Sequence, residues 1–360
     1  MKYFYSVIAL IILITSTTHS QIVVVDQNNN PIPYVDIIIS NKKTFFWQTD
    51  LSGNIPQNTI NKMTRNDSIV LRHISYKTKV IIRDSIIKDT IMLLPNIYNL
   101  KEIEINSKMP KYQKINACFR NSVRQDGQLV YYSDGETDYF TKNKKIEYSL
   151  FRKSYRSFEN KNISEFLNNY KTSIPINKAY TPTPEDIYLP YNFIKKHKLI
   201  QFFTDAFNSK ILTPDSNIVG EMRIGSNTIT YELNNIFELK TQKALNTEVT
   251  TTDFYIYMVF RKDDEQDVTE LNKSYNKLLY LKIIYGQTFK HDKEKKKRKI
   301  ETIEEIFVEN ISFTNLKDQD YSKHSGMPRS SSYDEEFWND CDCELYYTLD
   351  NNTLTEMRQL

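Results

Sequence analysis

The residues of this chain best suited to chemistry are its three cysteines, two of which stand together in Cys341-Asp342-Cys343. Two thiols at this spacing could bind a soft metal or form a strained disulfide. Because Cys118 is the third, any single disulfide leaves one thiol over. We predict a structural role, either one disulfide from Cys118 to Cys341 or Cys343, with the pairing open, or free thiols. We expect no metal and no cofactor.

A second candidate is His291-Asp292-Lys293-Glu294, which has the H-x-x-E spacing of a metallocarboxypeptidase zinc motif, with His324 as a third ligand. Zinc ligands need rigid support from neighbouring groups. Here the motif continues directly into the basic run at 295–299. The pattern is therefore more typical of a solvated hairpin tip than of a metal site.

The remaining charged clusters point to solvated loops. The run EKKKRK at 294–299 predicts an exposed loop, with a contact to anionic lipid headgroups as the alternative. A second cluster lacks the spacing and the glycine of a calcium loop: Asp263, Asp264, Glu265 and Asp267. The net charge of +3 provides no strong field for nucleic acid. Since no G-x-S-x-G, P-loop or H-E-x-x-H motif is present, we predict a non-enzymatic protein.

The elements that must position these residues are mainly β-strands. The chain has 25 Tyr and 19 Phe, which favour strands, and only 7 Gly. Alternating apolar residues predict strong strands at 254–260, 278–289 and 300–313, with a bulge between Ile303 and Ile306. We therefore predict that 111–360 form an α+β domain with a large antiparallel, half-barrel-like sheet.

Three helices are predicted in this second domain. Apolar residues recur there at steps of three and four, as they do on one face of a helix. The predicted helices cover 111–124, 163–170 and 191–210.

The stretch 30–55 predicts a small β-sandwich. It reads NPIPYVDIIISNKKTFFWQTDLSGNI, in which Val35, Ile37 and Ile39 alternate as in a strand. Thr49-Asp50-Leu51-Ser52-Gly53 predicts a tight turn with Gly53 at positive φ. Further short apolar runs follow at close intervals up to a last strand at 100–105, a spacing typical of a sandwich.

This pattern resembles the carboxypeptidase regulatory-like domain, an immunoglobulin- or transthyretin-like β-sandwich common in Bacteroidetes envelope proteins. The matching residues are Val25, Asp26, Pro31, Ile32, Val35, Ile37, Thr49, Asp50, Gly53 and Ile55. The resemblance covers about 21–106 and implies a non-catalytic module, because the peptidase domain of those enzymes is absent. The second half is similar to a domain of unknown function in such proteins, through Phe337-Trp338 near the end.

The N-terminus predicts export. Residues 1–20 carry one Lys, an apolar run from Val7 to Ile14, and then Ser and Thr, which is the layout of a signal peptide. Cleavage after Ser20 would leave Gln21 first. An uncleaved N-terminal anchor is the alternative. We therefore expect a protein of the periplasm or the outer membrane.

Two functions remain open from the sequence. The first is a non-enzymatic scaffold or binding module at the periplasmic face of the outer membrane, whose partner is an envelope or outer-membrane protein. The second is a carrier whose half-barrel sheet holds lipid or lipoprotein acyl chains. A carrier needs a large apolar cavity, whereas a scaffold needs an exposed apolar patch or sheet edge.

Overall fold

A computed structural model describes most of the chain. The described residues are 21–39, 46–61, 63–86, 89–96, 112–142, 145–169, 193–225, 227–234, 241–244, 246–262, 277–314, 331–333, 336–340, 354 and 357–359. The chain divides into two compact units, Met1–Asn96 and Ile97–Leu360. The predicted strand at 100–105 and the predicted boundary at 106–110 lie outside the described residues.

The first unit is a β-sandwich, as predicted. One sheet has the order β3-β2-β4-β5, and in the other β1 pairs in parallel with β6. The strands are β1 (Val23–Val25), β2 (Asp36–Ile39), β3 (Phe46–Gln48), β4 (Ser68–His73), β5 (Tyr76–Ile82) and β6 (Thr90–Met92). Helix α1 (Gln57–Asn61) and a 3-10 turn (Arg83–Ser85) connect them.

The core of the sandwich is formed by the alternating residues that the sequence indicated. Val35, Ile37 and Ile39 are buried with Leu71 and Ile91. Gly53 has a φ of 73°, and a Cβ there would lie 2.6 Å from the carbonyl oxygen of Val24, so the turn requires glycine. The side chain of Asp50 accepts hydrogen bonds from the N–H groups of Ser52 and Asn54 and fixes the same turn.

The second unit is built on one twelve-stranded antiparallel sheet. Its order is β10-β11-β12-β13-β15-β16-β17-β7-β8-β9-β18, and β14 pairs with β15. The strands are β7 (Tyr112–Gln125), β8 (Gln128–Lys142), β9 (Lys145–Glu159), β10 (Ile200–Phe203), β11 (Asn208–Leu212), β12 (Ile218–Ile224), β13 (Thr228–Asn234), β14 (Thr241–Ala244), β15 (Thr247–Arg261), β16 (Leu278–His291), β17 (Arg298–Thr314) and β18 (Arg358–Gln359). The prediction of a mainly β protein with a large antiparallel sheet is therefore confirmed.

Helical segments accompany this sheet. Among the described residues they include α2 (Lys161–Asn169), α3 (193–197) and α4 (Phe337–Asp340). Phe193 and Ile194 of α3 belong to a core cluster with Ile256, Ile283 and other residues on one face of the sheet. Leu167 of α2 packs in a separate cluster with Phe289. The predicted helix at 163–170 is confirmed, with its start at Lys161.

Two other predicted helices are wrong. The described part of the first, 112–124, lies in strand β7, because Ile115, Ala117 and Phe119 alternate along a strand that pairs with both β8 and β17. In the described part of 191–210, which begins at 193, the helix is the short α3, after which β10 and β11 form a hairpin. In β17 the register shifts between Val308 and Asn310, and not between Ile303 and Ile306.

Candidate functional site

Nine ionisable residues of the second unit lie in one row across the sheet. Each member is the direct cross-strand neighbour of the next, so all of them share one face. We call this set the ionic row: Lys210, Glu221, Glu232, Tyr257, Lys282, Glu305, Arg120, Asp134 and Arg156. From Lys282 onward the charges alternate, since each cation stands beside an anion on the next strand.

Glu305 is the centre of the buried half of the row. Its Oε2 accepts a hydrogen bond from Nε of Arg120 at 2.5 Å, and Nη2 of Arg120 lies at the same distance. Its Oε1 accepts a hydrogen bond from the Tyr280 hydroxyl at 2.6 Å, and Nζ of Lys282 is 3.8 Å from that oxygen. All four residues are buried, so the carboxylate charge is compensated by fixed protein groups instead of water.

Asp134 and Arg156 form the next buried pair. Arg156 donates from Nε to Oδ1 at 2.8 Å and from Nη2 to Oδ2 at 2.5 Å, which is the bidentate geometry of a strong ion pair. The Tyr132 hydroxyl donates to Oδ2 at 3.0 Å. Burial, followed by the negative charge of Asp134, raises the pKa of Tyr132 far above its ordinary value, so this phenol stays a donor.

The C-terminal segment covers this end of the row. The guanidinium carbon of Arg156 lies 3.8 Å from the ring centroid of Trp338, a close cation–π contact, and Phe337 lies on the same guanidinium at 5.8 Å. Ser332 exchanges two backbone hydrogen bonds with Tyr155, and β18 pairs with the end of β9. The Phe337-Trp338 pair that the sequence singled out therefore covers Arg156 at this side of the sheet.

The other end of the row is less buried. Nζ of Lys210 donates to Oε2 of Glu221 at 2.8 Å, and Arg223 pairs with the same carboxylate. Burial alone would raise the pKa of Glu221, but the charges of Arg223 and Lys210 outweigh it and hold the pKa below its ordinary value. On the next strand, burial and then the charge of Glu221 raise the pKa of Glu232 to about 7, against the opposing effect of the two cations.

Two apolar surfaces are exposed. The first, which we call the sandwich strip, crosses the outer face of the four-stranded sheet, where Ile38, Val70 and Val80 are cross-strand neighbours and Ile82 follows on β5. Val80 is 63% exposed and Ile82 is 55% exposed. The second is strand β10, where Ile200, Phe202 and Phe203 are exposed. Both fit the kind of surface that a protein partner covers.

The residues singled out from the sequence have mixed outcomes. Cys118 lies on β7 and is disulfide-bonded. The chain's other cysteines, Cys341 and Cys343, lie outside the described residues, and so do His324 and the acidic cluster at 263–267. Which of Cys341 and Cys343 pairs with Cys118 therefore stays open.

The His291 motif forms the turn that was predicted. His291 ends β16, and its Nδ1 accepts a hydrogen bond from the N–H of Lys293 at 3.1 Å. The basic residues follow in this turn, and Lys297 pairs with Glu248 at 3.1 Å. Among the described residues, no group of three or more His, Cys, Asp or Glu side chains is arranged to hold a metal ion.

The ionic row was missed from the sequence. A signal was present in the sequence. Glu304 and Glu305 interrupt the apolar residues between Ile303 and Ile306, and Arg120 interrupts the apolar stretch that ends at Phe119. Charged residues inside an apolar strand are costly unless they are paired. That rule predicts that partners exist, but it does not say which residues they are.

Comparison with known proteins adds no relatives. No family model matches this chain, and no curated protein sequence matches it. Within the described ranges, no helix combines the length and the apolar character that crossing a membrane requires.

Proposed function

We propose that this chain is an exported, non-enzymatic protein of the cell envelope that acts as a scaffold or binding module at the periplasmic face of the outer membrane. The observation that carries this proposal is the sandwich strip. Its apolar side chains are aligned across three strands and point away from the core, since Ile37, Ile39 and Leu71 already fill that core. A partner protein of the envelope that covers the strip removes this apolar area from water.

The disulfide at Cys118 supports the assignment to an exported protein. Structural disulfides persist in oxidising compartments such as the periplasm and are rare in the cytosol. The predicted signal peptide at 1–20 agrees with this. The resemblance of 21–106 to the regulatory-like module supports a role in binding instead of catalysis.

The ionic row supports a structural role for the large sheet. Glu305 and Asp134, its most buried carboxylates, accept hydrogen bonds from arginines of neighbouring strands and from Tyr280 and Tyr132, of which Tyr132 lies on the same strand as Asp134. A general acid or base needs a carboxylate that reaches a substrate, whereas these are committed to holding strands together.

Site-specific photocrosslinking tests the role of the strip. A photoreactive residue at Val80 should yield one discrete crosslinked envelope protein in cells, and Val80→Asp combined with Ile82→Asp should abolish co-purification of that protein. Gln57 in α1 is exposed and lies outside the four-stranded sheet, so a photoreactive residue there is the control. Equal crosslinking from both positions, or none from Val80, would contradict the proposal.

Native mass spectrometry of the mature protein separates the scaffold from the carrier. A scaffold should show a co-purifying protein and no small-molecule adduct. A bound mass equal to that of an acyl lipid would favour the carrier instead. Because a carrier binds its ligand in a cavity, the lipid adduct should survive the Val80 and Ile82 substitutions, whereas protein association should not.

A further inference from the structure

The two ends of the large sheet differ. At one end, β9 is followed by β18 and by the bridge from Tyr155 to Ser332. At the other end, the partner of β10 among the described residues is β11 alone. Ile200 and Phe202 of β10 are 54% and 60% exposed. Such an apolar edge strand is a template for pairing with a further strand.

The backbone of β10 offers hydrogen bonds on this open side. The N–H of Thr204 donates to the carbonyl oxygen of Asn208 at 3.0 Å, which extends the β10–β11 ladder by one hydrogen-bonded pair. Hydrogen-bonded pairs alternate along an antiparallel ladder, so residues 200 and 202 also bond to β11. The N–H and C=O groups of Gln201 and Phe203 are therefore directed to the open side.

The side chains of β10 are complementary to those of a second, antiparallel β10. A twofold axis at Gln201 places Gln201 opposite its own copy, and Ile200 opposite Phe202. The same axis places Leu199 opposite Phe203. Because directly opposite residues share a face, the exposed side chains of Ile200 and Phe202 meet across this axis. The amide of Gln201 stays with its own sheet, since its Nε2 donates a hydrogen bond to Oγ of Ser209 at 3.0 Å.

The charges that flank β10 favour the same arrangement. Lys195, Lys196 and Lys198 are exposed before the strand, and Asp205 is exposed after it. Hydrogen bonds from Asn208 and from the N–H of Phe207 hold the pKa of Asp205 below its ordinary value, so it stays charged. Antiparallel pairing brings the basic end of one strand to the acidic end of the other, whereas parallel pairing would bring like charges together.

We propose that β10 is the contact strand of a homodimer, in which a second copy of this chain continues the antiparallel sheet across the open edge. This inference goes beyond the function proposed above, because it concerns a different surface and a different partner.

The test is the molar mass of the mature full chain, measured by sedimentation equilibrium over a concentration series. The wild type should be a dimer, and Phe202→Lys should raise the dissociation constant of the dimer by at least about tenfold. Gln201→Pro should have the same effect, since proline removes the N–H that bonds the partner while leaving the backbone hydrogen bonds to β11 intact. Ile218→Lys is the matched control, because Ile218 is 66% exposed but lies on β12.

A crosslinking experiment keeps the proposal testable if a variant fails to fold. Gln201→Cys should give a disulfide-linked dimer under mild oxidation, because opposite residues in a ladder lie within disulfide reach. Ile218→Cys should give no more than the background of the wild-type cysteines. A wild type that is monomeric at every concentration, or equal crosslinking from both positions, would overturn the proposal.

Discussion

Arg120 and Glu305 face each other across β7 and β17, although they are separated by 185 positions in the sequence. The side chains of both are less than 5% exposed. Removing one partner of such a buried pair leaves the other charge uncompensated, whereas replacing both partners with apolar residues does not.

We expect Arg120→Ala to lower the free energy of unfolding by about 3–5 kcal/mol. Arg120→Met combined with Glu305→Leu and Lys282→Met, which also removes the cation on the other side of Glu305, should recover most of this loss, as measured by urea denaturation at neutral pH. Lys210→Ala is the control, because its ion pair with Glu221 is half-exposed and should contribute under about 1 kcal/mol. If Arg120→Ala lowers the free energy of unfolding no more than Lys210→Ala does, the prediction that the buried pair matters more than the half-exposed pair is wrong.

Glu232 should make stability depend on pH. Its pKa in the folded state is about 7, above the ordinary value of 4.5, so the folded state binds more protons than the unfolded state between these values. The stability that this group contributes is therefore fully present below about pH 4.5 and is lost as the pH rises through about 7. Glu232→Gln removes this loss, so the variant should gain stability relative to the wild type over that range.

Glu221→Gln should show the opposite sign. Since the pKa of Glu221 is lowered in the folded state, its contribution is present above its ordinary pKa and is lost as the pH falls. The variant should thus be less stable than the wild type near neutral pH, with the difference shrinking in acid. Thermal unfolding over a pH series measures both effects. If the unfolding temperatures of Glu232→Gln and of the wild type depend on pH in the same way, the prediction for Glu232 is wrong.

The disulfide of Cys118 should stabilise the second unit. Cys118→Ala should lower the free energy of unfolding by about 2–5 kcal/mol, and reduction of the wild type should have the same effect. Both should appear as a lower unfolding temperature than that of the oxidised wild type. A non-reducing tryptic digest should contain one crosslinked peptide that joins Cys118 to the segment with Cys341 and Cys343. Because both cysteines lie on the same tryptic peptide, fragmentation between Cys341 and Cys343 in the mass spectrometer identifies the bonded one. An unchanged unfolding temperature after reduction would show that the bond is not structural.

Gly220 tests the close contact between strands β12 and β13 of the large sheet. A Cβ at this position would lie 2.0 Å from the carbonyl oxygen of Glu232, so Gly220→Ala must push β12 away from β13. We expect a loss of about 1–3 kcal/mol in the free energy of unfolding. Gly225→Ala is the matched control, because its nearest atom, the carbonyl oxygen of Thr228, is 3.3 Å away. Equal losses for the two variants would argue against the tight β12–β13 contact.

The sequence predicted those strands of the large sheet that are rich in apolar residues over most of their length. Strands β16 and β17 were found near their true bounds, whereas β15 was found only over 254–260, about half of its length. Strand β7 was mistaken for a helix because both of its faces are buried, one by Ile115 and Phe119 and the other by Cys118 and Arg120. Apolar residues then recur at steps of three and four as well as two.

The ionic row could not be predicted in the same way. Its members come from nine strands, and their alignment depends on the register of each pair. A shift of one residue in any pair would move a charge to the opposite face. Local patterns indicate that Glu305 needs a partner, but only the order β16-β17-β7-β8 identifies the partner as Arg120.

The position of β17 between β16 and β7 has a consequence for the route by which the chain folds. β7, β8 and β9 leave the ribosome before the other strands of the large sheet, yet the edge of β7 stays open until β17 has been delivered, well over a hundred residues later. The chain therefore spends this interval with an unpaired strand that other chains can join. We expect folding of this protein to depend on chaperones that shield β7 during that delay.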